Sequence, residues 1–283
     1  MSTPKFKAAC IQVNATNDMA ANIAAASKLT RDAVADGANF VLMPENVSMM
    51  EWGKDNITAK AMPESEHSAL KAFRGLAQDL RTWLHCGSLS VKLPDGKIAN
   101  RTYVVTPEGN IAAAYDKIHM FDVDLGNGEK YVESATFTAG HQAVLVDLPW
   151  GRLGLSICYD LRFPHLFRHL AQSGAQFLTI PAAFTRRTGE AHWHVLQRAR
   201  AIETGCFVFS PAQTGTHAGG RQTFGHSLIV NPWGEVLADA GTEPGFISAV
   251  IDPAEVASAR GRVPAIARDA SFAPAITPAA AAQ

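Results

Sequence analysis

A cysteine lies at the end of an apolar run in residues 154–164, whose sequence is GLSICYDLRFP. The β-prone residues before Cys158 predict a buried strand. Phe163-Pro164 predicts the start of a helix, because proline is tolerated in a helix's first turn. A side chain at such a joint is exposed beside backbone N–H groups. We therefore expect Cys158 to be a nucleophile, although a buried cysteine that packs as a small apolar residue would fit the same pattern.

Other apolar runs also end in residues that could form a site. Ligand sites in α/β sheets gather at the carboxyl ends of strands. These ends carry Glu45 after the run 40–43, Cys158 after 153–157, Phe184 and Thr185 after 177–180, and Gln213 after 207–209. Lys117 follows a further short strand, predicted at 111–115, and lies in an apolar setting. Spacing alone does not select Glu45 or Lys117 from the other acids and lysines of the chain.

The composition excludes several classes of function. The chain has 283 residues, of which 47% are hydrophobic, and its formal net charge is −1, so we expect a large core and no nucleic-acid partner. No apolar run is long enough for a membrane span, and the first residues lack the apolar segment of a signal peptide. The four cysteines are scattered without a CxxC pair, which disfavours structural zinc and a disulfide framework. We expect a cytoplasmic protein whose Cys158 remains a thiol.

Strand and helix patterns alternate along the chain and repeat in its two halves. Strands are predicted at 6–13, 40–43, 86–92, 99–106, 111–115, 144–146, 153–157, 177–180, 206–210, 226–230, 235–238 and 247–251. Helices are predicted at 17–35, 66–84, 164–173 and 190–204, with a short final helix after Asp252-Pro253. This pattern predicts an α/β protein, a four-layer α-β-β-α sandwich of two mixed sheets with an internal pseudo-repeat. We expect a single domain over 1–272 and a mobile Ala/Pro-rich tail over 273–283.

Three short motifs occur together in the chain: Pro44-Glu45, Asp116-Lys117-Ile118-His119, and CYDLRFP beginning at Cys158. In this order they resemble the nitrilase superfamily of carbon–nitrogen hydrolases, and the resemblance runs from residue 6 to residue 252. It implies the same sandwich fold and a catalytic set of Glu45, Lys117 and Cys158. In that set Glu45 transfers protons, while Lys117 stabilises an oxyanion together with the Tyr159 backbone N–H and keeps Cys158 reactive. The resembling amidases also carry a glutamate before a serine, here Glu133, which is implied to hold Lys117 and the amide nitrogen.

Two further segments, TGEAHW at 188–193 and RARAIET at 198–204, resemble the Nit branch of that superfamily. This branch implies a cysteine-dependent amidase without a cofactor, which hydrolyses the amide of deaminated glutathione through a thioester as a metabolite-repair reaction. An omega-amide, an N-carbamoyl amide or a nitrile is the alternative substrate. A catalytically silent scaffold of the same fold is the alternative outside the enzymes. The resemblance also implies a homodimer or a larger homo-oligomer.

We expect the substrate to be a small anionic amide. The candidate binding residues are Tyr159, Arg162, Phe184, Thr185, His192 and Gln213. An anion needs cationic partners, and arginine pairs bidentately with a carboxylate. The sequence does not select one from the available set of Arg162, Arg186, Arg187 and Arg221. The chain also departs from the family pattern at His165, at 125–128 and in the Gly-rich segment 215–221, which leaves the substrate open.

Histidine pairs allow two other interpretations. His165 and His169 lie four apart on a predicted helix, and His192 and His194 flank a tryptophan. No acid or cysteine in the sequence pattern completes a metal-ligand set, so we expect no metal. A papain-like pairing of Cys158 with a histidine is the other alternative, and it requires one essential histidine and a dispensable glutamate.

Overall fold

Six α-helices lie among the residues that the computed structural model describes, which are 3–126, 128–273 and 275. In chain order they are α1 (Met19–Ala35), α2 (Lys54–Lys60), α3 (Ser68–Leu80), α4 (Pro164–Gln172), α5 (Arg186–Thr204) and α6 (Ala254–Arg262). The strands are β1 (Phe6–Gln12), β2 (Phe40–Leu42), β3 (Met62–Pro63), β4 (Trp83–His85), β5 (Leu89–Lys92), β6 (Ile98–Val105), β7 (Ile111–Asp116), β8 (Asp122–Asp124), β9 (Lys130–Val132), β10 (Leu145–Leu148), β11 (Gly151–Gly154), β12 (Phe177–Thr179), β13 (Phe207–Ser210), β14 (Thr214–Thr216), β15 (Gln222–Phe224), β16 (Leu228–Val230), β17 (Val236–Asp239) and β18 (Gly245–Ile251).

The strands form two large mixed sheets and two separate hairpins. The first sheet has the order β18-β1-β2-β4-β6-β5-β3, with β7 also paired to β6. The second sheet has the order β10-β11-β12-β13-β16-β17. Each sheet contains three adjacent parallel strands, β1-β2-β4 in the first and β11-β12-β13 in the second. Helices connect these strands, as parallel pairs require, so the predicted mixed sheets and internal repeat are confirmed.

The residues of β1 show how the layers stack. Phe6 and Ala8 belong to the core cluster that contains the second sheet, whereas Ala9 and Ile11 belong to the cluster that contains the inner faces of α1 and α3. Alternate residues of a strand point to opposite faces of its sheet, so this sheet is buried on both sides. Between the sheets, the Phe6 ring meets the Phe177 ring edge to face at 5.5 Å. Such a pair contributes about 0.5–1.5 kcal/mol beyond its buried area.

Helices α4 and α5 cover the outer face of the second sheet. A Cβ atom at Gly154 in β11 would lie 3.1 Å from Leu170 of α4, so this helix and strand pack at a distance that favours glycine. Trp193 and Ala201 of α5 are fully buried in the same core cluster. With α1 and α3 on the other side, the order of layers is helix, sheet, sheet and helix. The predicted α-β-β-α sandwich is therefore confirmed.

Three predicted element boundaries are wrong for local backbone reasons. The helix predicted over 66–84 ends at Leu80, because Arg81 adopts a left-handed conformation with φ 50°, and the apolar residues that follow form β4. The strand predicted from residue 86 begins at Leu89. Gly87 before it has φ 60° and packs so tightly that a Cβ atom would lie 1.9 Å from the Pro44 carbonyl oxygen. Helix α5 begins at Arg186, four residues before its predicted start.

Helix α2 and the hairpins β8-β9 and β14-β15 were not predicted, since short elements carry little periodic signal. The final strand β18 pairs antiparallel with β1, from Ile251 opposite Phe6 to Gly245 opposite Gln12. The tail predicted over 273–283 lies outside the described residues except at 273 and 275. Among the described residues, none of the helices combines the length and the apolar character that crossing a membrane requires.

Candidate active site

A cavity of about 330 Å³ opens where the carboxyl ends of the parallel strands of both sheets meet. Glu45 follows β2, Cys158 follows β11, and Phe184 follows β12. Lys117 comes directly after β7 and Glu133 directly after β9. All five side chains line the same cavity, so distant segments of the chain converge on it, as the contact between Glu45 and Ala183, 138 residues apart, illustrates.

The Glu45 carboxylate is held from three sides and is 2% exposed. Its Oε1 accepts hydrogen bonds from Asn100 Nδ2 at 2.9 Å and from Lys117 Nζ at 3.0 Å. Its Oε2 accepts a hydrogen bond from the Ala183 backbone N–H at 2.8 Å. The Gln213 side chain fixes the main chain here, because its Nε2 donates to the Glu45 carbonyl oxygen at 2.9 Å. The carboxylate therefore has one orientation, which a proton-transfer group needs.

Lys117 lies between two carboxylates. Its Nζ atom is 3.0 Å from Glu45 Oε1, and it is 3.0 Å and 2.8 Å from the two oxygens of Glu133. The Phe121 backbone N–H donates to Glu133 Oε2 at 2.7 Å. Asn100 Nδ2 bridges the acids, since it also reaches Glu133 Oε1 at 3.3 Å. The ammonium group is thus buried but neutralised, which lets a charge persist at a site with little access to water.

Cys158 occupies the sharp joint that the sequence predicts, but two details of the prediction are wrong: β11 ends at Gly154 rather than at residue 157, and the Cys158 side chain is buried rather than exposed. Its φ angle is 48°, a left-handed conformation that is uncommon for a residue with a side chain and concentrates at functional sites. The Cys158 backbone N–H donates to the Pro181 carbonyl oxygen at 3.0 Å. A 3-10 helix, Cys158–Arg162, begins at this point and leads into α4 with Pro164 as its first residue. The backbone N–H of Tyr159 lies in the first turn, where N–H groups have no partner within the helix.

A buried aspartate, Asp160, fixes the shape of this joint. Its Oδ2 accepts hydrogen bonds from the Ile157 backbone N–H at 2.8 Å and from the Tyr115 hydroxyl at 2.7 Å. Its Oδ1 accepts one from the His119 backbone N–H at 3.0 Å. Tyr115 and His119 flank Lys117 in sequence, so Asp160 couples the lysine segment to the cysteine segment. The family-like motifs around these two residues thus make contact through Asp160.

The charges of the three central groups follow from their contacts. Burial alone would lower the pKa of Lys117, but the carboxylates of Glu133 and Glu45 outweigh burial and raise it. Burial alone would raise the pKa of Glu45, but the Lys117 ammonium, the Cys158 thiol and the Arg221 guanidinium together lower it. Glu45 therefore rests as a carboxylate and Lys117 as an ammonium.

The cysteine rests in its protonated form. Burial raises the pKa of the Cys158 thiol well above its ordinary value, and the negative charge of Glu45 raises that pKa further, against the opposing effect of Lys117. A thiolate would add a second negative charge beside the buried Glu45 carboxylate. The arrangement therefore favours transfer of the thiol proton to Glu45 during attack rather than a thiolate formed beforehand by Lys117.

The six expected binding residues divide into two groups. Tyr159, Phe184 and Thr185 line the cavity, whereas the described lining residues do not include the other three, which are Arg162, His192 and Gln213. Gln213 is fully buried behind Glu45 and positions its backbone. Arg162 stacks outside the cavity, with its guanidinium carbon 5.0 Å from the centre of the Phe184 ring and Nη1 3.3 Å from His192 Nδ1.

Arg221 is the arginine, of the four considered, that lines this cavity among the described residues. Its Nη2 donates to the Ala183 carbonyl oxygen at 2.6 Å, and its guanidinium carbon lies 5.3 Å from the centre of the Tyr131 ring. The Gly-rich segment 215–221, which ends at Arg221, contains the turn of the β14-β15 hairpin. Gly219 there has φ 72°, and a Cβ atom would lie 2.6 Å from Trp52. This departure from the family pattern therefore does shape the cavity.

Sequence reasoning missed Asn100, which connects both glutamates. A usable signal exists, because Asn100 is a buried amide within β6, an element type in which asparagine is depleted. Trp52 and Tyr131 were also missed, and their rings meet edge to face at 6.2 Å beside the cavity. They belong to a loop and to a short hairpin, where no periodicity marks them.

In the structure, Asp239 lies beside His194 and supplies the acid that the sequence pattern lacked. His194 Nε2 lies 2.9 Å from Asp239 Oδ2, and His226 Nδ1 lies 2.9 Å from Asp239 Oδ1. This cluster has the residue types of a metal site, but its three ligand groups already satisfy one another as hydrogen-bonded pairs. His194 and His226 are not among the described residues that line the cavity of Cys158. For the described part of the chain, a papain-like histidine beside Cys158 is likewise not found in that lining.

Comparison with known proteins places this geometry in context. The carbon–nitrogen hydrolase family pattern matches residues 7–261. The chain is 38% identical to the deaminated glutathione amidase of Synechocystis sp., over 92% of this chain and 97% of that protein. It is 35% identical to the omega-amidase NIT2 of Homo sapiens, over 92% of this chain and 93% of that protein. The crystal structure of the C. elegans NitFhit protein superposes with a TM-score of 0.88 at 35% identity, covering 95% of this chain and 66% of that chain.

Proposed function

The chain belongs to the carbon–nitrogen hydrolase family, and from that premise we propose that it hydrolyses a small anionic amide through a thioester on Cys158. The observation that carries the proposal is the buried array in which Lys117 Nζ lies 3.0 Å from Glu45 and 2.8 Å from Glu133, beside the Cys158 thiol. A silent scaffold has no chemical need for a buried ammonium between two acids, next to a cysteine in a left-handed conformation.

Acylation begins with the Cys158 thiol. Its sulfur attacks the amide carbon while Glu45 accepts the thiol proton, and the carbonyl electrons move to the oxygen. Lys117 and the Tyr159 backbone N–H donate to that oxyanion, and one such donor typically contributes about 2.7–4 kcal/mol. The C–N bond then breaks, and the proton held by Glu45 passes to the departing nitrogen. The products of this half-reaction are a thioester and a free amine or ammonia.

Deacylation uses the same groups in reverse roles. Glu45, again a carboxylate, takes a proton from a water molecule that attacks the thioester carbon. Lys117 stabilises the second oxyanion, the C–S bond breaks, and the sulfur regains the proton from Glu45. Glu133 keeps Lys117 charged and in place through both steps, since its two oxygens lie 3.0 and 2.8 Å from Nζ. In both half-reactions every proton transfer is made by these side chains and the attacking water.

We assign the acyl-side carboxylate of the substrate to Arg221. This side chain lines the catalytic cavity, and its Nε atom is buried without a hydrogen-bond partner among the described residues. A buried donor left unpaired is costly, and a bound carboxylate would satisfy it. A keto-acid amide such as deaminated glutathione supplies that group. The similarity to the Synechocystis sp. deaminated glutathione amidase supports the same choice.

The omega-amide α-ketoglutaramate is the second candidate substrate. Similarity to the human omega-amidase NIT2 favours it, and it has the same acyl part with ammonia as the leaving group. Ammonia and cysteinylglycine release should therefore be measured on deaminated glutathione, α-ketoglutaramate, a simple aliphatic amide, an N-carbamoyl amino acid and a nitrile, with Cys158→Ala as the blank. We expect deaminated glutathione to give the highest kcat/KM. Turnover of only a carbamoyl compound or a nitrile would show that the substrate belongs to that class instead. No turnover of any compound, with a Cys158 that does not react, would contradict the enzyme assignment.

We also propose that the protein is a cytoplasmic homodimer. All four cysteines are free and buried, which is typical of a reducing compartment. Val195 and Ile202, one heptad apart on α5, are 68% and 55% exposed, and Trp233, which precedes the Gly234 that packs on Ile202, is 56% exposed. An apolar surface of this kind is typical of an interface. Light scattering should give a dimer for the wild type and a monomer for Val195→Glu with Ile202→Glu, and a monomeric wild type would contradict the proposal.

A further inference from the structure

A second cavity of about 520 Å³ adjoins the catalytic one. Trp52, Lys130, Tyr131 and Arg221 line both cavities, so these side chains form a wall that the two share. The character of the second cavity differs, because its lining carries four cationic side chains and only two acids. The cations are Lys130, Arg186, Arg187 and Arg221, and the acids are Glu129 and Glu190. The excess of positive charge suits an anionic group beyond the part of the substrate that Cys158 holds.

Two of these arginines stand where helix stability alone would disfavour them. Arg186 and Arg187 are the first two residues of α5, whose first turn contains no acid. The dipole of a 19-residue helix places partial positive charge at this end, so cations here are unfavourable and a bound anion would be favourable. Backbone N–H groups of the first turn add to the same preference. Local helix energetics therefore gives no reason for Arg187, and for Arg186 it offers only the ion pair with Glu190 one turn further along the helix.

The contacts of the pair leave Arg187 as the stronger ligand. Arg186 Nε is 3.0 Å from Glu190 Oε1, so its charge is partly neutralised by its own helix. Arg187 donates from Nη1 to the Leu125 carbonyl oxygen at 2.6 Å, and no carboxylate among the described residues pairs with it. Both side chains are exposed at the second cavity. A guanidinium has five donors in a planar fork, so one hydrogen bond leaves Arg187 able to receive a carboxylate.

We propose that the second cavity binds a carboxylate on the amine side of the scissile amide, with Arg187 as its main ligand and Arg186 assisting. This inference rests on the proposed function, in which the acyl part stays in the catalytic cavity on Cys158. The amine product must leave while the acyl group remains attached, and an open, solvent-exposed subsite permits this. The substrate class is thus an amide with an anionic group at both ends. Deaminated glutathione is of this class, and α-ketoglutaramate lacks the second anion on the amine side.

The test compares two substrates with the same acyl part. The ratio of kcat/KM for deaminated glutathione to that for α-ketoglutaramate is measured in the wild type, Arg187→Ala, Arg187→Lys and Arg186→Ala. We expect Arg187→Ala to lower the ratio about tenfold, the typical effect of losing one charge-assisted pair, with Arg187→Lys intermediate. Arg186→Ala should lower it less, since Glu190 already holds that side chain. Arg31→Ala, an exposed arginine of α1 outside both cavities, is the matched control and should leave the ratio unchanged.

A second probe isolates the anion itself. Deaminated glutathione whose terminal carboxylate is converted to an amide should lose about tenfold in kcat/KM with the wild type and little with Arg187→Ala. Equal losses on both substrates in Arg187→Ala would indicate that this arginine only holds residue 125 in place, and would overturn the subsite. No effect of Arg187→Ala on either substrate would overturn it as well. A wild type that hydrolyses neither substrate would instead refute the proposed function, and the subsite with it.

Discussion

Replacing Glu45 by glutamine should affect turnover and the cysteine in opposite directions. The carboxylate takes the thiol proton in the proposed reaction, so Glu45→Gln removes the base for both half-reactions. The same carboxylate raises the pKa of Cys158 through its charge and its hydrogen bond with the thiol. Its neutral replacement therefore lowers the pKa of Cys158 and increases the fraction of thiolate at a given pH. An enzyme with more thiolate and less activity would separate proton transfer from simple nucleophile activation.

The size of the effect follows from the contacts of Glu45. General acid–base catalysis typically contributes about 10²–10⁴ in rate. We expect the upper part of this range, because Glu133 lies on the other side of Lys117 and cannot replace the missing base directly. The fold should survive, since Lys117 keeps its contacts with Glu133. The amide of the glutamine cannot accept from all three donors that Glu45 meets, so we expect a loss of about 1–3 kcal/mol in unfolding free energy.

Two assays on one sample test this prediction. Ammonia release from α-ketoglutaramate gives kcat, and the ultraviolet absorbance of the thiolate, followed against pH with Cys158→Ala as the blank, gives the pKa of Cys158. Burial also raises the pKa of Cys10, Cys86 and Cys206, and the Cys158→Ala blank removes their contribution to the absorbance. Turnover should fall while the pKa of Cys158 falls too. Turnover within tenfold of wild type, or a raised pKa, would refute the reasoning.

Three further perturbations probe the surroundings of the site. Lys117→Met leaves two buried carboxylates facing each other and removes an oxyanion donor, so urea denaturation should reveal a loss of about 3–5 kcal/mol and kcat should fall at least 10²-fold. Gly219→Ala forces a Cβ atom to within 2.6 Å of Trp52 at φ 72°, so KM should rise and stability should fall by about 1–3 kcal/mol. Burial lowers the pKa of His67 to about 4, so the unfolded chain binds its proton first as pH falls below 6.5. Urea denaturation should reveal about 2 kcal/mol less stability at pH 5 than at pH 7 from this group, and His67→Gln should reduce that difference.

The parts of the site that the sequence predicts best are local. The joint at Cys158 is encoded by adjacent residues, an apolar run followed by a polar pair and Phe163-Pro164, and the structure has the expected turn there. Glu45 and Lys117 are 72 residues apart and meet only because β2 and β7 belong to one sheet. This contact depends on the order of the strands in the sheet, and the periodicity of the sequence does not reveal that order. The resemblance to a family identified this pair.

The fold was predictable wherever a pattern was long. Helix α1 is 17 residues long and strand β1 is 7 residues long, and both lie within two residues of their predicted bounds. Helix α3 ends earlier than predicted because Arg81 adopts a left-handed conformation. No periodic signal in the sequence marks that residue. The choice of Arg221 over Arg162 depends on the turn of the β14-β15 hairpin, which packs on Trp52 in the cavity wall. Short loops set substrate contacts, and their conformations depend on the rest of the fold.

The most direct test of the account is to trap the acyl group on the enzyme. The wild type is mixed with excess deaminated glutathione, quenched in acid within the turnover time, digested, and analysed by peptide mass spectrometry. We expect a mass increase equal to the acyl part on the peptide that contains Cys158, and we expect hydroxylamine to remove it, as it removes a thioester. The same peptide from Cys158→Ala should carry no adduct, and that variant should be inactive. Full turnover by Cys158→Ala, or an acyl group attached to another residue, would contradict the central claim.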